Sequence, residues 1–180
     1  MNRNDEFEKI KITKASTNKV VTNVYYDSFG IEKVRFQNAS YQDKNSIDCY
    51  VDFEDLALLA VKVNNKEYFE SLKNGPKTIT MGGSKSSKRF DGQPESRVMS
   101  LGRSGDKIFI NMTAGKGKIG DTGLIVPDGQ PDKKISVGMT IDKFRSMIIY
   151  TNNWINAYLA HYTTRLVREA EEARKNLENK

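Results

Sequence analysis

Ile47-Asp48-Cys49-Tyr50-Val51-Asp52-Phe53-Glu54-Asp55-Leu56-Ala57-Leu58-Leu59-Ala60 has a counterpart 88 positions on, Ile135-Ser136-Val137-Gly138-Met139-Thr140-Ile141-Asp142-Lys143-Phe144-Arg145-Ser146-Met147-Ile148. In each stretch three apolar residues alternate, Ile47, Cys49 and Val51 against Ile135, Val137 and Met139, which is the period of a strand with one buried face. A helix then begins at once. Asp52 and Thr140 stand at the N-cap position, and Glu54 and Asp142 put negative charge near the positive end of the helix dipole. Phe53, Leu56, Leu59 and Ala60, matched by Ile141, Phe144, Met147 and Ile148, follow at helical spacing. Each half of the chain therefore ends in a strand, a cap and a helix, the signature of a duplicated unit.

Working outward, residues 8–15 alternate, 19–26 are rich in Val, Thr and Tyr, and 31–38 alternate again, which makes four strands before the first helix. That helix is expected to break near Asn64-Asn65 and to stop before Asn74-Gly75-Pro76. In the second half, 77–81, 97–101 and 107–112 read as strands, with a tight hairpin at Arg103-Ser104-Gly105-Asp106. Gly82 to Arg89 and Ala114 to Gly120 read as mobile basic loops, and Leu124 to Gly129 leads to the second organising strand. The C-terminal helix runs from Ile141 almost to the end, its last stretch from Glu169 polar all round and frayed. The fold class is α+β: a unit of four antiparallel strands and a helix, duplicated, giving two antiparallel sheets covered by two helices. The boundaries are one domain of two halves, about 8–75 and 76–165, and a polar helical tail, 166–180.

Composition narrows the function. The net charge is +6, and residues 76–134 hold 11 basic and 6 acidic side chains, so the excess lies in the second half and favours an anionic partner there. The longest apolar run, Leu56 to Val61, is too short to span a bilayer, and the charged N-terminus has no signal-peptide pattern, so a cytoplasmic protein without membrane contact is expected. One cysteine, Cys49, and one histidine, His161, exclude a zinc cluster and weigh against Cys-His or Ser-His catalysis, and no cofactor is expected. Gly115 to Gly120 matches Gly-x-Gly-x-x-Gly but does not open a helix, so it lacks the phosphate-cradling turn of a dinucleotide site.

By alternation the sheet face turned away from the helices carries Lys9, Lys11, Lys33, Arg35, Lys107, Phe109 and Asn111. Cations that track phosphates, interleaved with a ring that stacks on bases, suit an unpaired nucleic-acid strand. The bland alternative is a solvated face with Phe109 in the core. With the loops added, the candidate contacts are Lys9, Lys11, Lys33, Arg35, Lys85, Lys88, Arg89, Arg97, Arg103, Lys107, Phe109, Lys116 and Lys118. On the C-terminal helix Tyr150, Trp154, Tyr158 and Tyr162 recur every fourth residue, a stripe that serves either as core or as an oligomer interface.

The duplicated strand-and-helix unit with Gly- and Lys-rich hairpins resembles the Whirly family and the related transcriptional-coactivator fold, found also in some phage single-stranded-DNA-binding proteins. The signature Lys-Gly-Lys-Ala-Ala-Leu of plant Whirly proteins is missing; Lys116-Gly117-Lys118 matches its first three residues in the other half. The resemblance implies a non-enzymatic protein that binds single-stranded DNA in replication or recombination and forms a homo-oligomer, a tetramer in the Whirly manner. An RNA binder of the same fold, and an oligomeric assembly protein with no nucleic-acid role, are the alternatives.

Overall fold

The four strands expected before the first helix are β1 (Lys9–Ser16), β2 (Val20–Asp27), β3 (Lys33–Ser40) and β4 (Asn45–Asp52), and they pair as an antiparallel meander in chain order. The structure is a computed structural model of the 180-residue chain in which residues 9–27 and 33–178 are described. Alternation places Val24, Val34, Phe36, Ile47, Cys49 and Val51 on the buried face. A bulge at Ile12 shifts the register of β1 between Lys11 and Thr13, so that Ile12 and Ala15 both turn inward. Burial pushes the Cys49 thiol up to about 12, so it packs as a neutral apolar side chain.

Helix α1 (Phe53–Lys62) and the shorter α2 (Lys66–Ser71) divide at Asn64 and Asn65, the expected break. Asn65 caps α2 by accepting from the Glu67 amide at 2.8 Å. Asp52 stands at the N-cap of α1 but makes no side-chain cap bond; its carboxylate instead holds Lys33 at 2.9 Å. Thr140 does cap its helix, accepting from the Lys143 amide at 3.3 Å.

A single 3-10 turn, Leu72–Asn74, leads into the second sheet, which comprises β5 (Lys77–Ser84), β6 (Glu95–Ser104), β7 (Lys107–Ile119), β8 (Ile125–Pro127) and β9 (Lys133–Thr140). β6 lies between β5 and β7, while the far edge of β7 pairs first with β9 and then with β8. Gly105, at φ 57, takes the first of the two turn positions between β6 and β7, the sign that a type II′ hairpin needs. Five strands thus stand where four were expected, and both glycine-rich segments read as loops contribute to strands: β5 continues to Ser84 and β7 to Ile119.

The two sheets share one core, in which Met99, Leu101, Ile108, Ile110, Met112 and Val137 meet the inner face of the first sheet. Helix α3 (Ile141–Glu178) seals it with Phe144, Met147, Ile148 and Ile155, packed against α1 and β1. A polar clamp fixes how the sheets cross. Asn38, wholly buried on β3, accepts from the Thr22 hydroxyl at 2.6 Å and donates to the carbonyls of Ile110 on β7 and Ile135 on β9, at 2.9 and 3.1 Å. At 38 residues α3 is about 57 Å long, and the described side chains from Ala160 onward are exposed. Among the described residues no helix is long and apolar enough to cross a membrane.

Asn38→Ala strips the clamp and leaves a buried hydroxyl with one partner fewer, so urea denaturation is expected to show a loss of about 1–3 kcal/mol. Asn23→Ala, which removes only a part-buried 3.3 Å bond to Gln37, should cost well under half of that.

Candidate nucleic-acid interface

Where the clamp brings the sheets together, the edge strands β4 and β5 run side by side, joined by the Thr80 hydroxyl, which donates to the Tyr50 carbonyl at 2.8 Å. Between them opens a groove of about 400 Å³ whose lining includes Lys33, Asp48, Tyr50, Gly82, Lys85 and Arg97. Gly82, Gly83 and Ser84 on β5 are among the small residues that line it. Gly82 has nothing within 4 Å of the place a Cβ would occupy, so its lack of a side chain leaves room above the strand.

One end of the groove is shaped by the β5–β6 hairpin, which side-chain and backbone bonds cross-link. Its centre is Glu95, 4% exposed, whose carboxylate accepts from Ser87 at 3.0 Å and pairs with Arg89 at 3.1 Å and Arg97 at 3.2 Å. Burial pushes the Glu95 carboxyl up, but Arg97, Ser87 and Arg89 outweigh it and hold the group below the usual carboxylate range. Backbone bonds from Ser87 to Gln93 and from Gly92 to Ser87 complete the loop. Arg89 and Arg97 therefore serve the scaffold first. Lys85 and Lys88 stand exposed on the same hairpin and enter no ion pair among the described residues.

The second glycine-rich segment is a strand squeezed between neighbours. A Cβ on Gly117 would lie 2.7 Å from Ile125 and 2.9 Å from the Ser96 amide, and one on Gly115 would lie 2.9 Å from Pro131. These glycines admit close packing and form no phosphate-binding loop. Lys116 and Lys118 project from this strand into solvent, Lys118 within 3.9 Å of Asp128.

On the first sheet, Lys11, Tyr25, Arg35 and Tyr50 share one cross-strand row. The Arg35 guanidinium stacks 4.5 Å from the centre of the Tyr25 ring, 3.9 Å from Asp48, and the residue is 7% exposed. Expected as a solvated cation, it is instead covered by its cross-strand partner. Lys11 remains exposed, its ammonium 5.7 Å from the centre of the same ring. The backbone of Lys9 opens β1, while its side chain lies outside the described residues. Arg103 is far from the groove, held by Glu70 at 2.8 Å. Lys107 is exposed at the β6–β7 turn, and Phe109 lies half-buried on the outer face of the second sheet, its ring over Gly138.

The candidate residues therefore separate. Lys33, Lys85 and Arg97 line one groove, with Lys88 and Arg89 on the adjoining hairpin, while Arg103, Lys107 and Phe109 lie elsewhere. Tyr50, Thr80 and Gly82 escaped sequence reasoning, although Tyr50 has the outward parity opposite Cys49 and Val51. The aromatic stripe divides too. Trp154 and Tyr158 stack at 5.6 Å and pack on Tyr26, whose hydroxyl donates to that of Tyr158 at 2.8 Å, whereas Tyr150 and Tyr162 are exposed. Among the described residues no group of three or more His, Cys, Asp or Glu gathers as a metal site. No protein-family model and no curated protein matches this chain.

Glu95→Gln at neutral pH is expected to lower stability by about 1–3 kcal/mol, because two guanidinium groups lose their shared carboxylate. The folded-state pKa is depressed, so this contribution is complete above the unfolded carboxylate value and fades as pH falls toward the folded one. Thermal melts of parent and variant should converge between neutral pH and about pH 3; a constant gap would exclude Glu95 as the cause.

Proposed function

We propose that this protein binds single-stranded DNA without reading its sequence, in replication or recombination, and does so along the groove between β4 and β5. The observation that carries the reading is the groove itself: Lys33, Lys85 and Arg97 around a gap walled by Tyr50 and left unfilled at Gly82. Cations at the rim meet phosphates, and a ring in the wall meets unpaired bases, whose stacking is worth about 1–3 kcal/mol each. A gap of about 400 Å³ has room for bases of one strand. Lys88 and Lys116 extend the positive track beyond it. The same reading takes the two halves as a duplicated Whirly-like unit, β4 feeding α1 and β9 feeding α3.

Assembly belongs to the proposal. Leu58 and Val61 on α1 and Tyr150 on α3 are exposed at 56%, 72% and 56%, apolar area that a homo-oligomer, a tetramer in the Whirly manner, would bury. Light scattering is expected to give a multiple of the 20.4 kDa protomer mass, and Tyr150→Arg to lower it while the circular-dichroism spectrum of the fold is kept. A single-protomer mass at micromolar concentration would defeat the assembly. Tyr158 is unsuitable for this test because it also holds Tyr26.

For the groove, Lys85→Ala with Lys88→Ala removes two cations that do not hold the hairpin together. Affinity for a labelled oligothymidylate should fall, and the slope of log affinity against log salt should flatten by as much as about 1.4, near 0.7 for each phosphate that is no longer neutralised. An unchanged slope, or equal affinity for a duplex, would refute the reading.

A further inference from the structure

Glycine within a strand weakens it, through backbone entropy and the absence of a side chain to pack, so each strand glycine asks for a reason. For Gly83, Gly115, Gly117 and Gly138 the reason is close packing, since a Cβ on any of them would come within 1.8–2.9 Å of a neighbouring atom. Two strand glycines have no such reason. Gly82 lies in the β4–β5 groove. Gly102 lies in the interior of β6, its φ outside the left-handed region, and its nearest would-be neighbours are Asn111 Nδ2 at 3.5 Å and Pro76 Cβ at 3.9 Å, ordinary distances that a side chain would tolerate.

The space above Gly102 is a separate slot of about 270 Å³ on the outer face of the second sheet. Phe109, directly opposite Gly102 on β7, forms one wall, and the Leu72–Pro76 connection forms the other. The Phe109 ring is seated by Gly138 on its far side, so its position does not depend on whatever occupies the slot. At the floor the Ser136 hydroxyl bonds Asn111 Oδ1, which fixes the amide and leaves its Nδ2 donor facing the space over Gly102. Lys73 and Arg103 also line it, each paired with Glu70.

We infer that this slot captures a single base of the bound strand, flat against Phe109, with Asn111 Nδ2 donating to an acceptor on the base edge. The inference rests on the proposed binding of single strands and adds to it a second point of attachment remote from the β4–β5 groove. Every base offers a carbonyl or ring-nitrogen acceptor, so one donor and one ring face hold any base. Capture here requires the strand to leave the groove and cross the face of the second sheet.

Gly102→Val is the direct test, because the added side chain fills the slot without displacing backbone and suits a strand. Fluorescence anisotropy would compare a labelled oligothymidylate with an abasic strand of equal length, which presents the same phosphates and no bases. The expected result is an unchanged or raised melting temperature, unchanged affinity for the abasic strand, and about a tenfold loss for oligothymidylate. Phe109→Leu, which keeps apolar cover over Gly138 but removes the ring face, should act in the same direction. If both variants keep the parent's preference for bases over the abasic strand, the slot is overturned and the groove reading stands. If the parent shows no preference at all, the slot is overturned while phosphate binding survives; if it binds neither strand, both fall.

Discussion

The buried amide of Asn38 is the constraint on which the rest of this structure depends. An unpaired amide in a dry core costs several kilocalories per mole, and only one arrangement of the two sheets satisfies it: β3 across the carbonyls of Ile110 and Ile135. Apolar side chains such as Phe36 and Met112 tolerate many sheet-crossing angles, because the hydrophobic effect has no direction. The amide does have direction. By setting the crossing it places β4 beside β5, and the groove between these edges is a by-product of that placement.

Charge in this protein is distributed in two roles. Lys33, Arg35, Arg89, Arg97 and Arg103 each lie within 4.0 Å of a carboxylate, and several hold loops or strands in position. Lys73 and Arg103 likewise keep the Glu70 carboxyl below its usual range. The exposed cations outside these pairs include Lys85, Lys88 and Lys116. Guanidinium is planar and satisfies carboxylates bidentately or in stacks, which suits Arg35, Arg89 and Arg97 to holding strands and loops, whereas ammonium is a compact, strongly hydrated point charge on a flexible stem.

Much of the fold was legible because alternation and capping act locally. The strand periods of Ile47, Cys49 and Val51, and of Ile135, Val137 and Met139, predicted buried faces, and Asn64-Asn65 marked the helix break. What failed was non-local. Gly115 and Gly117 look like a mobile loop in sequence, and only the presence of Ser96 and Ile125 on either side makes them a strand. Arg35 had the outward parity of a solvated cation, but no local rule says that Tyr25 stands beside it. The groove joins β4 to β5 across the twenty-four residues of chain that separate them, and its lining, Tyr50 with Gly82, follows from tertiary placement alone.

The meander order of the first sheet has a consequence in time. Each of its strands pairs with its sequence neighbour, so β1 to β4 need only short loop closures and can form early. The second sheet must wait for β9 to return to β7 around β8, a longer closure. Until it does, the Asn38 amide lacks the Ile135 carbonyl, and its clamp on the second sheet is incomplete. That order of closure makes the docking of β7 and β9 onto the first sheet the step expected to limit folding, and the clamp across both sheets ties their unfolding together.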